Sequence, residues 1–346
     1  MNKRPPRNGE KVVQKINTLL VDGNALFKTG FFGAKDEYNQ NGDHIGGLYQ
    51  FLTVLRKLLV EDLYHRVYVF WDGDFSGKLR YEIYPPYKSG RGKDYINGTK
   101  PTDVSELQQR KMIQDYLDNL FIKQLEHDII EGDDFIAYYC LTKQDNEKIT
   151  ICSNDRDMCQ LISEDVKIYF CDLKAYVDSS NYSVHFPHHK ENAVLLKTVL
   201  GDDSDSIKGI KGVGEKTLLT QFPELKERKV ELSELIERAK KIQEERQSQK
   251  KPPLAALTNM INVVTEGVQG TNLYEINARL VNLKEPFMTE DGINELEKLI
   301  TSTFTTSDRG IKNVLTNFKR DGLDKTIGEI RYPEYLLPFK KLIERI

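Results

Sequence analysis

The sequence predicts an α/β fold: a mostly parallel, twisted sheet flanked by helices, followed by a mainly helical C-terminal region. Three observations carry this. Apolar runs of strand length, rich in β-branched and aromatic residues, recur through the first half of the chain. Helix-periodic segments separate them, as parallel crossovers require. Beyond Tyr182–Phe186 the strand signals fade and helical periodicity continues alone.

In order, residues 16–22 (Ile-Asn-Thr-Leu-Leu-Val-Asp) form the first predicted strand. Gly46 to Leu63 places Leu48, Phe51, Leu52, Leu55, Leu58 and Leu59 at helical spacing, and residues 66–71 form the next strand. The unit recurs as a strand at Asp128–Ile130, a helix over Asp133–Thr142 and a strand at Lys148–Cys152. A short helix around Met158–Ile162 leads to a strand at Val166–Phe170. Helical patterns follow at about 191–200, 215–221, 229–246, 253–266, 272–282 and 291–302. The expected organisation is a disordered basic tail over 1–15, an α/β domain over 16–190 and a helical domain over 191–346. Glu227–Lys251 is dense in Glu and Lys at i,i+4 offsets and reads as a solvated helix face.

Composition excludes several classes. A chain of 346 residues that is 39% hydrophobic can build a sizeable core. No apolar run approaches the ~20 residues of a membrane span, and the start has no apolar signal core. Cys140, Cys152, Cys159 and Cys171 lack metal-ligand spacing, which argues against a zinc site or disulfide framework and fits a reducing cytosol. The net charge of −3 at first argues against a nucleic-acid partner. Setting aside the nine carboxylates of the motifs below leaves a positive balance, which permits a basic surface around an acidic hole.

Five acidic motifs fall where a predicted strand ends or a helix begins: Asp22, Asp72, Glu131-Gly-Asp-Asp134, Asn154-Asp-Arg-Asp157 and Gly201-Asp-Asp-Ser-Asp205. Each alone could be a turn or helix cap. Together they describe Asp22, Asp72, Glu131, Asp133, Asp134, Asp155, Asp157, Asp202 and Asp205 converging on one crevice. Carboxylates so crowded require neutralising cations, and an oxygen-only set suits Mg²⁺ or Mn²⁺. Glu131 with Asp134, and Asp202 with Asp205, are three apart and share a helical face.

Two further segments point to phosphates. In Lys208-Gly-Ile-Lys-Gly-Val-Gly-Glu-Lys216, the glycines Gly209, Gly212 and Gly214 allow close backbone approach, and Lys208, Lys211 and Lys216 add cationic attraction. A nucleotide-binding loop is the rival there, but the Walker spacing is absent. Tyr84 to Pro101 is basic, aromatic and rich in Gly and Pro. With Arg80 before it, it offers Tyr84 and Tyr87 for stacking and Lys88, Arg91 and Lys93 for phosphate contact.

These residues together resemble the structure-specific 5′-nuclease family, which includes flap endonucleases, the 5′-nuclease domain of bacterial DNA polymerase and phage 5′-exonucleases with ribonuclease H activity. The resemblance covers about residues 16–220 and is strongest in Glu131–Phe135, Ser153–Asp157 and Gly201–Lys216. It implies a PIN-like fold with two Mg²⁺ ions, one surrounded by Asp22, Asp72, Glu131 and Asp133 and the second nearer Asp155, Asp157 and Asp205, with Asp134 and Asp202 supporting. It further implies an arch over 84–101, catalytic roles for Arg80, Lys88 and Arg91, and a helix-three-turn-helix element at 209–216 that grips duplex DNA with a bound K⁺. Lys208 and Ser206 depart from residues common in relatives, and beyond residue 220 the match is weak.

The implied activity is 5′-3′ exonuclease and flap endonuclease hydrolysis of DNA and RNA–DNA primers, in a free-standing cytoplasmic enzyme of bacterial or phage origin that acts as a monomer. The basic tail and Arg331–Ile346 are the candidate docking points for a sliding clamp or single-strand-binding protein. A Holliday-junction resolvase of the same superfamily, a PIN-type ribonuclease and a non-catalytic DNA-binding relative remain as alternatives.

Overall fold

The computed structural model describes residues 15–34, 37–89, 104–266, 272–304, 309–328 and 331–343. Its centre is a six-stranded sheet in the order β3-β2-β1-β4-β5-β6. The strands are β1 (Ile16–Asp22), β2 (Arg66–Asp72), β3 (Lys123–His127), β4 (Glu147–Ser153), β5 (Val166–Phe170) and β6 (Ala175–Val177). The first five run parallel and β6 turns back antiparallel on β5. The order reverses about β1, so the carboxyl ends of β1, β2 and β4 open onto one crevice, where α/β sheets place their ligands.

Alternation along β1 assigns the faces. Leu19 and Val21 join Val67, Val69 and Trp71 under α2 (Gly46–Glu61) and α4 (Val104–Asn119), while Leu20 joins Phe70, Ile149 and Ile151 on the opposite face. There α5 (Gly132–Thr142) lies across the sheet, with Phe135 stacked on Phe70 at 6.0 Å between ring centroids. Both faces are covered, which is why the strands read as near-continuous apolar runs.

Helices α7 (Ala193–Leu200), α8 (Glu215–Gln221), α10 (Leu232–Ser248) and α11 (Ala255–Glu266) share their own apolar cluster, reached also by Tyr274 of α12 (Leu273–Val281). The short helices α6 (Tyr182–His185) and α9 (Glu224–Glu227) precede α7 and α10 respectively. The later helices return to the sheet. Leu296 of α13 (Glu290–Thr301) packs with Phe135 and Ile130. Val314 and Phe318 of α14 (Ile311–Arg320), Leu323 of α15 (Leu323–Ile327) and Phe339 of α16 (Tyr332–Ile343) pack with α2 and α4. The region expected as 191–346 therefore contributes to three apolar clusters: its own and one on each face of the sheet.

Two elements differ from the sequence reading. The strand expected at Asp128–Ile130 lies earlier, at Lys123–His127, because β3 is the sheet edge and its outward side chains are polar. The apolar alternation ending at Tyr182–Phe186 is a helical turn: Tyr182 and Phe186 meet four apart at 4.7 Å between rings, and Val184 points outward at 78% exposure.

Candidate active site

Asp22 closes β1 and caps the next helix, α1 (Gly23–Gly33). Its Oδ1 accepts the Ala25 N–H at 2.9 Å and its Oδ2 accepts the Ser153 hydroxyl at 2.7 Å. Asp72 closes β2 and accepts the Gly132 N–H, at the start of α5, at 2.8 Å. Asp155, just beyond β4, accepts the Asp157 N–H at 2.7 Å. The capping function and the gathering of carboxylates are thus the same geometry. Helix N-termini hold the acids at the strand ends, and their unpaired N–H groups stabilise the negative charge.

One cleft of about 280 Å³ is lined by seven of the nine predicted carboxylates: Asp22, Asp72, Glu131, Asp133, Asp155, Asp157 and Asp205. Burial, with Asp72 and Asp155 nearby, pushes the Asp22 carboxyl up to about 7. Burial and Asp155 push Asp157 to about 7 against the pull of Lys197, and burial with Asp22, Asp155 and Asp72 drives Asp133 well up. Glu131 goes the other way: burial raises it, but Lys88 and Arg80 hold it down to about 2. The cleft is therefore short of positive charge on its Asp22–Asp133–Asp157 side, which fits a set of divalent-cation ligands.

Two predicted ligands are engaged elsewhere. Asp134 is fully buried, does not line the cleft, and has both oxygens occupied by Arg80 at 2.5 and 2.9 Å and by the Phe287 N–H at 2.9 Å. Its three-residue spacing from Glu131 does create a shared face, but the face binds Arg80, whose Nη1 also reaches Glu131 at 2.5 Å. Asp202 pairs with Lys197 at 2.5 Å and accepts the Ser204 N–H at 2.8 Å, outside the cleft lining.

The cationic and aromatic candidates are held by the protein's own groups. Arg80 of α3 (Lys78–Ile83) lines the cleft and donates its Nε–H to the Leu280 carbonyl at 3.0 Å, so its guanidinium braces Glu131 and Asp134 from the cleft wall. Tyr87 is 4% exposed and donates its hydroxyl to Glu131, which rules out stacking on a base. Tyr84 is half-buried against the small cluster of Tyr87, Ile207, Leu280 and Val281. Lys88 is buried in the cleft wall with its ammonium on Glu131 and its N–H donating to the Asp205 carbonyl at 2.8 Å. Arg91, Lys93 and the 90–101 part of the expected arch lie outside the described residues.

The glycine-rich segment follows a two-stranded hairpin, β7 (Gly201–Asp202) with β8 (Ile207–Lys208). Gly209 is required by packing, since a Cβ there would sit 1.9 Å from the Leu200 carbonyl oxygen. Gly212 has φ +81° and Gly214 opens into solvent at the start of α8, while Lys208, Lys211 and Lys216 are exposed.

Sequence reasoning missed four cleft contributors. Lys28 and Asn24 line the cleft from α1, and the buried Asn24 Oδ1 has no hydrogen-bond partner in the protein. Lys197 bridges Asp157 and Asp202 at 2.6 and 2.5 Å, and Ser153 links Asp22 to the Asp155 N–H. Asn24 and Lys28 follow Asp22 by two and six residues, so the start of α1 carried a usable signal. Lys197 gave none.

Among the described residues, the group of three with ligand atoms within 4.8 Å of one another is His127, Asp291 and Glu295, not the cleft carboxylates. That group is a poor ion site. His127 Nδ1 accepts the Ile129 N–H at 3.2 Å, which leaves the proton on Nε2 facing the exposed Asp291. The cleft carboxylates do not meet that spacing, which suits divalent ions that keep some of their own waters.

The 5′-3′ exonuclease N-terminal resolvase-like domain matches residues 17–188. The chain belongs to the 5′-3′ exonuclease family. It is 28% identical over 229 residues to a 5′-3′ exonuclease of Mycoplasmopsis pulmonis, covering 64% of this chain and 73% of that one. It is 30% identical over 211 residues to the thermostable DNA polymerase I of Thermus thermophilus, covering 61% of this chain. The chain spans about a quarter (24%) of the length of that polymerase. The T5 5′-exonuclease with bound zinc shares the fold at TM-score 0.58 and 17% identity, covering 89% of this chain and 98% of that one. The bacteriophage T5 flap endonuclease, solved with DNA and metal ions, does so at TM-score 0.57 and 18% identity, with the same coverage. Among the described residues no helix is long and apolar enough to cross a membrane.

Proposed function

We propose that this family member is a structure-specific 5′-nuclease that uses two divalent cations, Mg²⁺ or Mn²⁺, to hydrolyse phosphodiesters of DNA and of RNA–DNA primers during replication or repair. The observation that carries the reading is the cleft at the sheet's switch point, lined by seven carboxylates and closed on one side by Lys88. Asp22, Asp72, Glu131 and Asp133 would hold one ion, and Asp155, Asp157 and Asp205 the other. Bound there, the ions would supply an activated water and the charge that stabilises the leaving 3′ oxygen.

The protein's own groups do the rest. Lys88 sits against Glu131 in the cleft wall, placed to exchange that carboxylate for a scissile phosphate oxygen as charge develops. Arg80 keeps Glu131 ionised and fixed in position. Lys28 also lines the cleft, where it would attract the substrate backbone. Exposed Lys208, Lys211 and Lys216 around Gly212 and Gly214 would grip duplex phosphates; a K⁺ ion at this loop rests on the family resemblance alone. DNA and metal ions accompany the T5 flap endonuclease, which supports the same ligand classes for this chain.

The test is digestion of 5′-labelled flap, nicked and RNA–DNA hybrid substrates with Mg²⁺ or EDTA, followed by product mapping. Mg²⁺-dependent release of products bearing 5′-phosphate and 3′-hydroxyl ends is expected. Binding without cleavage in either Mg²⁺ or Mn²⁺ would instead establish a non-catalytic DNA-binding relative.

A further inference from the structure

The segment Asn154-Asp155-Arg156-Asp157 alternates two kinds of side chain. Asp155 and Asp157 line the carboxylate cleft. Asn154 and Arg156 tie the same segment to its neighbours. The Asn154 amide donates to the Thr29 hydroxyl of α1 at 2.7 Å, and its oxygen accepts the Asp172 N–H at 3.0 Å. Thr29 is itself fixed, because its hydroxyl donates to the Ala25 carbonyl at 2.7 Å. The Arg156 guanidinium meets the two Asp172 carboxylate oxygens at 2.5 and 3.3 Å and lies 4.3 Å from the centre of the Phe170 ring. Asp172 stands in the turn between β5 and β6, where its carboxylate also accepts the Leu173 N–H at 2.9 Å.

The cleft puts an electrostatic load on this segment. Asp155 repels Asp22, Asp133 and Asp157, and burial together with Asp155 pushes Asp157 up to about 7. Such repulsion drives the acids apart, and a backbone held at Asn154 and Arg156 resists it. Folding stability is not the main effect of these links. The Arg156 and Asp172 side chains are 37% and 45% exposed, and exposed pairs contribute little to stability. A two-point guanidinium–carboxylate contact supplies orientation instead.

We propose that Asn154, Arg156 and Asp172 are positioning residues for the ion held by Asp155, Asp157 and Asp205, keeping its ligands gathered before it binds. An ion entering a gathered site loses no binding free energy to assembling it. Removing residues that hold metal ligands from behind typically weakens metal affinity by about 10- to 100-fold. The inference rests on the two-ion reading above.

The experiment measures Mn²⁺ binding to the whole chain without DNA, from the paramagnetic resonance signal of free Mn²⁺. It compares wild type, Asn154→Ala, Arg156→Ala, Asp172→Ala and the double variant Arg156→Ala with Asp172→Ala. Wild type takes up two ions. Each variant keeps one near its wild-type affinity and binds the other about tenfold more weakly. The double variant matches its parent single variants, because both remove the same link. Melting temperatures in EDTA shift little. In the cleavage assay the Mg²⁺ concentration for half-maximal rate rises by a similar factor, and saturating Mg²⁺ restores most of the wild-type rate. Two-ion binding unchanged in every variant overturns the positioning role and leaves the nuclease reading intact. A lowered melting temperature with Mn²⁺ affinity intact overturns it too, since that marks an ordinary structural link. Wild type that binds no Mn²⁺ refutes the two-ion reading itself, and the positioning role with it.

Discussion

Asp22→Asn should stabilise the protein when divalent ions are removed, although it disables the site. Asp22 is 8% exposed, and burial beside Asp72 and Asp155 raises its carboxyl from 3.8 to about 7. The folded state therefore holds a proton that the unfolded state has already released over this interval. Stability from this group is complete below the unfolded value, falls as pH rises through the window, and is lost above about 7. At pH 8 the penalty is about 4 kcal/mol at most, since each tenfold change in proton affinity is worth about 1.4 kcal/mol. The amide carries no such charge, though it gives up one of the two bonds, to Ala25 or Ser153, that the carboxylate accepts. Thermal unfolding in EDTA at pH 5 and pH 8 measures the effect. Wild type should lose melting temperature between the two, and Asp22→Asn should lose less and melt up to roughly 6 °C higher at pH 8. Added Mg²⁺ should raise wild type and close the gap. If Asp22→Asn melts no higher than wild type in EDTA at pH 8, or if the difference is the same at pH 5, the cleft is not under the electrostatic stress described.

Asp134→Ala should destabilise by about 3–5 kcal/mol, because it strands the buried Arg80 guanidinium, whereas Asp155→Asn, which removes a charge that repels Asp22, Asp133 and Asp157, should not lower the melting temperature in EDTA. Denaturant titration of both variants checks the contrast. Lys88→Ala should slow cleavage at saturating enzyme far more than it weakens DNA binding in Ca²⁺; a pure affinity loss would remove its proposed role. Gly209→Ala should unfold the β7–β8 hairpin and with it flap binding, since its Cβ would overlap the Leu200 carbonyl, while Gly214→Ala, open to solvent, should fold normally by circular dichroism. Binding to duplex should fall steeply with salt in a filter-binding series.

The acids of the cleft were legible in the sequence because local structure places them. Asp22, Asp72 and Asp155 each follow a strand and cap or face a helix start, a pattern visible within a few residues. Their partners were not legible. Arg80 meets Asp134 and the Leu280 carbonyl across 54 and 200 residues of chain, and only the packed fold brings them together. Asp133 and Asp134 show the limit most clearly. They are neighbours in the first turn of α5, about 100° apart around the helix, so one faces the cleft and the other the Arg80 brace. The edge strand β3, Lys-Gln-Leu-Glu-His, escaped because only its inward side is apolar, and β6 was too short to register.

Single-turnover cleavage of one 5′-flap substrate by wild type and Asp155→Asn, with affinity measured in parallel in Ca²⁺, tests the central claim most directly. The carboxylate cleft as a divalent-cation nuclease site predicts rapid Mg²⁺-dependent cutting by wild type, almost none by the variant, and similar affinity for both. Cleavage by Asp155→Asn at the wild-type rate would contradict it.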